Sequence, residues 1–328
     1  MKIGIIGDVH IAPPPEKRID DYFQVGLNKI EEIAKACDVA IFLGDIFTNP
    51  KVDEKYVNRL IRHLDYCNQV HKCNFKTIIG NHDVAHEEEV NLDDSSLGIL
   101  QSSKVMGIIT PDKPAIIHDK DIIYRFNTIP VKFKNAQEYI KTIRYTNEVQ
   151  LNVGGQLKPC IDVLLVHHQY ESGNPCFYYD DFKDLGCKHI FLGHDHKPMD
   201  AGRIIYPEFT VYRSGSVMRN RADDYNFTRK SIYYFIIDTE PADGKTIYCK
   251  TVTMSNPYNI FKVEAVNKLN TQEKKYTEVI DSLIEKYKNN ISLQDKFSIK
   301  KIMIELKAKP ESINYIDNQY KKIGEIFN

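Results

Sequence analysis

Residues 76–83, Lys76-Thr77-Ile78-Ile79-Gly80-Asn81-His82-Asp83, join an apolar β-type run to a carboxamide, an imidazole and a carboxylate. Taken alone, the polar end of this stretch is compatible with a turn, because Gly and Asn tolerate positive φ and Asp caps helices. Four more polar clusters also follow apolar β-type runs, however, and turns are a poor explanation for that regularity. The four are Gly7-Asp8-Val9-His10, Gly44-Asp45, His167-His168 and Gly193-His194-Asp195-His196. We therefore interpret all the clusters as one site assembled from strand ends.

The first part of the chain predicts a βαβαβ order. Strands are expected at 2–6, 39–43 and 76–79, since each is a short apolar run rich in β-branched residues. Helices are expected at 20–36, from apolar residues at helical spacing, and after Asp53, which can cap the next helix. Because the carboxyl ends of parallel strands meet at one edge of an open α/β sheet, the polar clusters should meet there too.

The rest of the chain predicts further strands and a change of character near its end. Asn256-Pro257-Tyr258-Asn259 marks a junction, so we predict one large domain over 1–256 and a small α+β cap over 257–328. The large domain should contain strands at 115–117, 122–126, 161–166, 189–192, 203–206, 209–213, 231–238 and 246–253, and a helix at 135–149. The last of these strands have the pattern of an antiparallel set.

The composition is that of an ordinary globular chain of 328 residues, with 42% hydrophobic and 27% charged residues. Its 44 basic and 45 acidic residues leave a net charge of −1, so nucleic-acid binding would need a local basic patch. No apolar run is long enough to cross a membrane, which argues against a membrane partner. The seven cysteines form no CxxC pair and the N-terminus lacks a signal-peptide pattern, so we expect a cytoplasmic protein.

The polar clusters supply oxygen and imidazole donors that suit divalent ions such as Mn²⁺, Fe²⁺ or Zn²⁺. There are too many donors for one tetrahedral zinc, and enough for two ions that share a carboxylate. Asp45 is the best bridge, because its strand lies between the other ligand strands. Two such ions can activate water and clamp a phosphate for displacement at phosphorus. His82 would then protonate the leaving oxygen as general acid, and Asp83 would orient the His82 imidazole.

In order and spacing, the clusters resemble the calcineurin-like metallophosphoesterase superfamily over roughly residues 1–200. The resemblance implies a four-layer α/β/β/α sandwich with a small α+β cap at the C-terminus. By similarity, the ligands of one metal would be Asp8, His10, Asp45 and His196. The ligands of the other metal would be Asp45, Asn81, His194 and one histidine of the 167–168 pair.

Two assignments within this pair are possible. We favour His167, because it is the first residue after the strand. His168 is the rival, since His168-Gln169 matches a His-Gln pair that some nuclease members of the superfamily carry.

Within the superfamily, the chain resembles the SbcD-type DNA-repair exonucleases. Gly44-Asp45-Ile46-Phe47 is similar to that group's second block, although Thr48 stands where the group often has His or Asp. Tyr212-Arg213-Ser214-Gly215-Ser216 is similar to the group's Gly-Ser block, where its members contact the substrate backbone. The predicted tail of helix, strand and helix is similar to the group's DNA-binding cap.

The SbcD resemblance implies Mn²⁺-dependent hydrolysis of DNA phosphodiester bonds, as a 3′-to-5′ exonuclease and endonuclease, in DNA repair, recombination and the processing of DNA ends. It also implies a homodimer and a partner ATPase with a coiled coil, of the SbcC type, on another chain. The chain has no GxxxxGK[ST] motif, which is consistent with ATP use elsewhere. The alternatives are a small-molecule phosphodiesterase or phosphatase of the same superfamily, and a non-catalytic scaffold on the same fold.

Basic and hydroxyl side chains after the last histidine cluster are candidate substrate contacts. Phosphate binding is one interpretation of their crowding, and a solvated charged surface is the other. The residues expected to contact substrate are Ser214, Ser216, Arg219 and Arg221.

Overall fold

The structure is a computed structural model. It describes residues 1–13, 18–85, 92–120, 122–145, 150–153, 156–171, 173, 175–219, 225–226, 229–240, 246–254 and 260–262. The chain divides into two units, Met1–Val266 and Asn267–Asn328. The second unit lies outside the described residues, so the cap expected over 257–328 stays a prediction.

The described secondary structure alternates strands and helices up to residue 108, and strands predominate after it. The helices are α1 (Tyr22–Ala34), α2 (Glu54–His71), α3 (Ser96–Ser102), α4 (Phe133–Thr142) and α5 (Tyr179–Phe182). The strands before residue 130 are β1 (Lys2–Ile6), β2 (Val39–Phe42), β3 (Asn74–Thr77), β4 (Met106–Ile108), β5 (Ala115–Asp119) and β6 (Ile122–Thr128). The later strands are β7 (Gln150–Val153), β8 (Gln156–Val166), β9 (His189–Leu192), β10 (Arg203–Ile205), β11 (Thr210–Tyr212), β12 (Ile232–Asp238) and β13 (Thr246–Val252).

The first sheet has the strand order β13-β12-β1-β2-β3-β4. Strands β1 to β4 run parallel, as the predicted βαβαβ order requires, and β12 and β13 extend the sheet in antiparallel fashion. Ile6 lies opposite Phe42 in the register, so β1 and β2 end level with each other. The residues that follow these two strands therefore emerge side by side at one edge of the sheet.

The second sheet has the order β10-β11-β9-β8-β6-β5, and β7 pairs with β8. Strands β6, β8, β9 and β11 are parallel, whereas β5, β7 and β10 pair with their neighbours in antiparallel fashion. Val166 lies opposite Leu192, so β8 and β9 also end level. The antiparallel pairing expected for the last strands is confirmed for β10 with β11 and for β12 with β13.

The two sheets pack face to face around a shared apolar core. Ile5 of β1 and Phe191 of β9 both belong to this central core, whereas Ile6 and Leu192, the next residues along, face the helices on either side. Strands that bury both faces in this way need apolar residues at nearly every position. Helices α1, α2 and α3 cover the first sheet and α4 and α5 cover the second, which confirms the four-layer α/β/β/α sandwich.

Several boundaries differ from those expected. The strand placed at 76–79 ends at Thr77, and Ile78 continues as a buried loop whose N–H donates to Phe42 O at 3.1 Å. The apolar run at 76–79 therefore predicted the burial of Ile78 correctly but not the end of the strand. The helix placed at 135–149 is shorter, ending at Thr142. The cap predicted at Asp53 is confirmed, since its side chain accepts from Lys55 N–H at 3.0 Å.

Within the described residues, no helix combines the length and apolar character that a membrane crossing needs. All seven cysteines are unpaired, and six of them are buried.

The central core should carry much of the stability of the sandwich. Phe191 of the second sheet is fully buried and packs edge-on against Phe235 of the first sheet, with 5.7 Å between ring centroids. Replacing Phe191 with Ala should lower the free energy of unfolding by about 3–5 kcal/mol, measured by denaturant unfolding, because a large cavity remains. Ile205→Ala is the control, since this side chain is 68% exposed and its loss should cost under about 0.5 kcal/mol. Equal losses would show that the contact between the sheets is not a main source of stability.

Candidate metal centre

The aspartates and histidines expected to bind metal lie at the carboxyl ends of four strands, two from each sheet, and Asn81 follows a fifth strand, β3. In the first sheet, Asp8 comes two residues after β1 and Asp45 three residues after β2. In the second sheet, His167 directly follows β8 and His194 comes two residues after β9. Because the paired strands end level and the sheets pack face to face, the four loops converge at one edge of the sandwich.

Two triads, each of one aspartate and two histidines, occupy this edge. Within each triad, one possible ligand atom from each residue lies within 4.8 Å of the others. The first triad is Asp8, His10 and His196, and the second triad is Asp45, His167 and His194.

The first triad has an arrangement that a cation would complete. His10 Nε2 and His196 Nε2 lie 2.8 Å apart, and Asp8 Oδ2 lies 4.0 Å from the former and 3.6 Å from the latter. Asp8 Oδ2 is buried and has no hydrogen-bond partner. Since buried carboxylate oxygens are normally paired, this donor set fits a divalent ion.

The Asp45 carboxylate contacts both triads. Its Oδ1 lies 3.3 Å from His167 Nε2 in the second triad, and its Oδ2 lies 3.6 Å from His10 Nε2 in the first. Asp45 Oδ1 also accepts from the His82 backbone N–H at 2.9 Å. A ligand that bridges two metal ions must direct one oxygen toward each ion, and the Asp45 carboxylate has this placement.

Asn81 lies beside the second triad. Its Oδ1 is 3.0 Å from His167 Nε2 and 2.9 Å from His194 Nδ1. The structure therefore brings all seven residues expected to hold metal to one place, although they come from five separate loops.

The geometry favours His167 over His168 as a metal ligand. The His167 Nδ1 donates to Leu43 O at 2.6 Å, and this hydrogen bond fixes the orientation of the ring. The His167 Nε2 atom therefore faces Asp45, another member of the second triad. His168 points into the core beside the second sheet instead. There its Nε2 donates to Pro130 O at 2.8 Å, and its ring packs edge-on against Phe177.

His82 lies next to the first triad, with its ring centroid 5.2 Å from that of His10. Its Nδ1 lies 2.9 Å from Thr48 O. Because a carbonyl only accepts, His82 Nδ1 carries a hydrogen, and Nε2 is left for a substrate or water.

Asp83 does not orient the His82 ring, contrary to our expectation. Its carboxylate is buried and accepts from Gly80 N–H at 2.9 Å and from Phe47 N–H at 3.3 Å. Asp83 therefore braces the loop that carries Asn81 and His82, and the carbonyl of Thr48 makes the orienting contact.

The loops achieve this convergence with unusual backbone conformations. His10, Asp45 and His194 have φ values of 54°, 47° and 73°, in the left-handed region that non-glycine residues rarely adopt. Such conformations persist where surrounding contacts enforce them and are common at functional sites. His10 N–H, for example, donates to Asp45 O at 2.9 Å, which ties two of the loops together.

The centre has a buried floor and a more exposed rim. Asp8 and Asp45 are each 1% exposed, and His167 is also buried. The His196 side chain is 25% exposed, and His82 and His194 are partly exposed. A substrate would therefore approach from the side of these three histidines.

Burial and close charges perturb the acid–base properties of the floor. Burial raises the pKa of Asp8 to about 7, with His167 opposing the rise and Asp45 adding to it. Burial would raise the pKa of Asp45 too, but His167 holds it well below its usual range. Burial would lower the pKa of His167, but Asp45 raises it to about 10. Burial lowers the pKa of His10 to about 3, although Asp45 opposes this.

Three of the four expected substrate contacts lie away from the rim. Ser214 and Ser216 are buried, and Ser216 Oγ donates to Asp8 O at 2.9 Å. Arg219 is 4% exposed and donates from Nη2 to Arg229 O at 3.0 Å. These three residues support the fold behind the centre, and Arg221 lies outside the described residues.

The sequence did not predict two hydrogen bonds to backbone carbonyls at the centre. The carbonyls of Leu43 and Thr48 orient His167 and His82, and no sequence signal marks a backbone carbonyl for such a task.

Comparison with known proteins places this site in context. The family model for calcineurin-like phosphoesterases matches residues 1–198. Among curated proteins, none matches the sequence.

Three similar solved structures have low sequence identity to the chain. The protein TT1561 of Thermus thermophilus is 8% identical, with a TM-score of 0.44 over 76% of this chain and 98% of that one. A dimetal phosphatase from Danio rerio is 10% identical, with a TM-score of 0.42 over 78% and 97%. An archaeal phosphodiesterase is 14% identical, with a TM-score of 0.35 over 76% and 99%. TM-scores this low add no functional information.

Gly80 is one of several glycines at the centre that leave no room for a side chain. A Cβ there would lie 2.1 Å from Asp45 Oδ1, so Gly80→Ala should displace the bridging carboxylate and abolish binding of at least one metal ion. Metal stoichiometry after dialysis, measured by mass spectrometry, tests this. Gly107→Ala is the control, because its Cβ would meet no atom closer than 3.5 Å. Full metal content in Gly80→Ala would show that Asp45 does not bind metal as inferred.

Metal affinity should fall as the pH falls. With pKa values of about 10 for His167 and about 7 for Asp8, the metal-free chain holds a proton on His167 at pH 8 and on both residues at pH 6. An ion must displace these protons, so binding should release more protons at pH 6 than at pH 8. Titration calorimetry in buffers of different ionisation enthalpy measures this release. An affinity that stays constant from pH 6 to pH 8 would contradict it.

Proposed function

The chain belongs to the calcineurin-like phosphoesterase family, and on that premise we propose that it hydrolyses DNA phosphodiester bonds with two divalent ions, Mn²⁺ first among them. It is a metal-dependent phosphoesterase, and the DNA substrate and the identity of the metal are the proposal. One observation carries the two-ion mechanism. The Asp45 carboxylate lies between two Asp-His-His triads and directs one oxygen toward each.

The residues present fit two divalent ions. The first triad with Asp45 would hold one, and the second triad with Asp45 and Asn81 would hold the other. When bound, such ions polarise phosphate oxygens and lower the pKa of coordinated water. The chain itself contributes the rigid placement of the ligands, through the Leu43 carbonyl behind His167 and the buried position of Asp8.

His82 is the group that the chain supplies for proton transfer. Its Nδ1 hydrogen is committed to Thr48 O, so proton donation to a leaving oxygen must come from Nε2 of the doubly protonated ring. Its backbone N–H is anchored on Asp45 Oδ1, which fixes the imidazole relative to the bridging carboxylate.

The choice of DNA as substrate is supported by sequence similarity to SbcD-type exonucleases. The similar blocks are Gly44-Asp45-Ile46-Phe47 and Tyr212-Arg213-Ser214-Gly215-Ser216. The 3′-to-5′ direction, the role in DNA repair and recombination, the homodimer, the SbcC-type ATPase partner and the cytoplasmic location belong to the same proposal.

The second candidate is a phosphodiesterase or phosphatase that acts on small molecules. The burial of Ser214, Ser216 and Arg219 favours it, because these residues were the expected contacts to a DNA backbone. Under this alternative the same two triads would act on a phosphate that needs no extended binding surface.

A direct comparison of substrates tests the proposal. With Mn²⁺, the full chain should shorten an end-labelled DNA duplex into a ladder faster than it turns over bis-p-nitrophenyl phosphate or a cyclic nucleotide. His82→Ala should slow DNA hydrolysis by about a hundredfold to ten-thousandfold, the usual contribution of a general acid, with metal content unchanged.

His118→Ala is the matched control, since this histidine is exposed on β5. It should retain full activity. Rapid hydrolysis of the small diesters with intact DNA would favour the second candidate. Unchanged activity in His82→Ala would remove His82 from the mechanism.

A further inference from the structure

Four basic side chains are buried together on the side of the first sheet that faces α1. They are Arg18, Lys29, Arg219 and Arg229, each at most 7% exposed. Buried lysine and arginine side chains are rare unless anions compensate their charge.

The contacts of this basic cluster are mostly with backbone carbonyls. Lys29 Nζ donates to Thr253 O at 2.7 Å, and Arg229 Nε donates to Ser231 O at 3.1 Å. Carbonyls solvate a cation but do not neutralise it.

Within the described part of the chain, two carboxylates lie near the cluster. Asp20 forms an ion pair with Arg18, with 2.5 Å between Oδ2 and Nη2. Glu32 accepts from Thr253 N–H and raises the pKa of Lys29, but burial and the charge of Arg229 outweigh it and lower that pKa to about 8. Among the residues that the structure describes, four cations thus face two carboxylates, which leaves positive charge in excess.

Arg219 is the member of the cluster with unused donors. Its Nη2 reaches Arg229 O, but its Nε and Nη1 are buried and have no hydrogen-bond partner. A buried N–H group without an acceptor is uncommon in folded proteins and calls for an explanation.

Arg219 also lines a small cavity, which we call the Arg219 cavity. Arg18 and Lys29 line it as well, and it has room for about one water-sized particle. The remaining lining residues are apolar, namely Val25, Met218, Ile232, Met254 and Ile260.

We propose that the Arg219 cavity binds one small monovalent inorganic anion of the size of chloride. Such an anion would accept from an unpaired Arg219 N–H and offset part of the charge of Arg18 and Lys29. Phosphate and sulfate are too large for a cavity of this size.

The anion would stabilise the loop that carries Asp8 through a short chain of contacts. The chain begins at Arg219, whose Nη2 donates to Arg229 O. Arg229 Nη2 donates to Ser216 O, and Ser216 Oγ donates to Asp8 O at 2.9 Å. The anion is not a substrate, and its effect on stability does not depend on the proposed function.

Thermal unfolding of the full chain tests the site. At constant ionic strength, replacement of gluconate by chloride should raise the melting temperature by about 3 °C for each tenfold rise in chloride above its dissociation constant. Bromide should act like chloride, whereas sulfate should act only as a general salt. Stabilisation by sulfate in place of chloride would overturn the assignment of a small anion.

Arg219→Gln should abolish the dependence on chloride. Arg203→Gln, which changes an exposed arginine on β10, should keep it. An equal response of the wild type and of Arg219→Gln would mean that chloride acts by general screening, and would overturn the proposal.

A second measurement uses only the wild-type chain, so it does not depend on whether Arg219→Gln folds. Crystals of the wild-type chain soaked in bromide should show an anomalous scattering peak in the Arg219 cavity. A water molecule there, or an empty cavity, would overturn the proposal whatever the outcome for Arg219→Gln.

Discussion

The Asp45 carboxylate lies 3.3 Å from His167 Nε2 and 3.6 Å from His10 Nε2, and the rest of the centre is arranged around these two contacts. To reach this position, Asp45 adopts a left-handed backbone conformation, and Gly80 leaves the space that a Cβ would fill. The constraint is steric as well as electrostatic, because two loops from neighbouring strands must approach within van der Waals contact. Their sequences accordingly place a glycine where the approach is closest.

The contacts of Asp45 exist only because the two sheets are fixed relative to each other. His10 belongs to a loop of the first sheet and His167 to a loop of the second, so the centre depends on the core between the sheets. A shift of one residue in the register of β8 would exchange its two apolar faces and move His167 away from Asp45. The packing between the two sheets therefore determines the geometry of the metal centre at the edge of the sandwich.

Charge is distributed unevenly around the centre. Acidic and imidazole groups form the floor, where their pKa values depend strongly on one another, and a divalent ion would resolve the resulting repulsion. Behind the floor, Ser216 links the Asp8 loop to a buried group of arginines and a lysine. Arg219, which the sequence indicated as a substrate contact, is therefore buried in the interior.

The sequence by itself determined most of the strands, including the initial βαβαβ order, and the positions of the polar residues at the strand ends. It could do so because an apolar run that predicts a strand is a local pattern in the sequence. The carboxyl ends of parallel strands also meet at one edge of a sheet, whatever the details of packing. Glycine, aspartate and histidine residues mark the turns at that edge. It left open the choice between His167 and His168, and it did not anticipate the backbone contacts of Asp83 or the burial of Ser214, Ser216 and Arg219. Only the tertiary structure decided these, because the partner of a polar side chain depends on which distant segment packs over it. The Leu43 carbonyl that selects His167 lies 124 residues away in the chain.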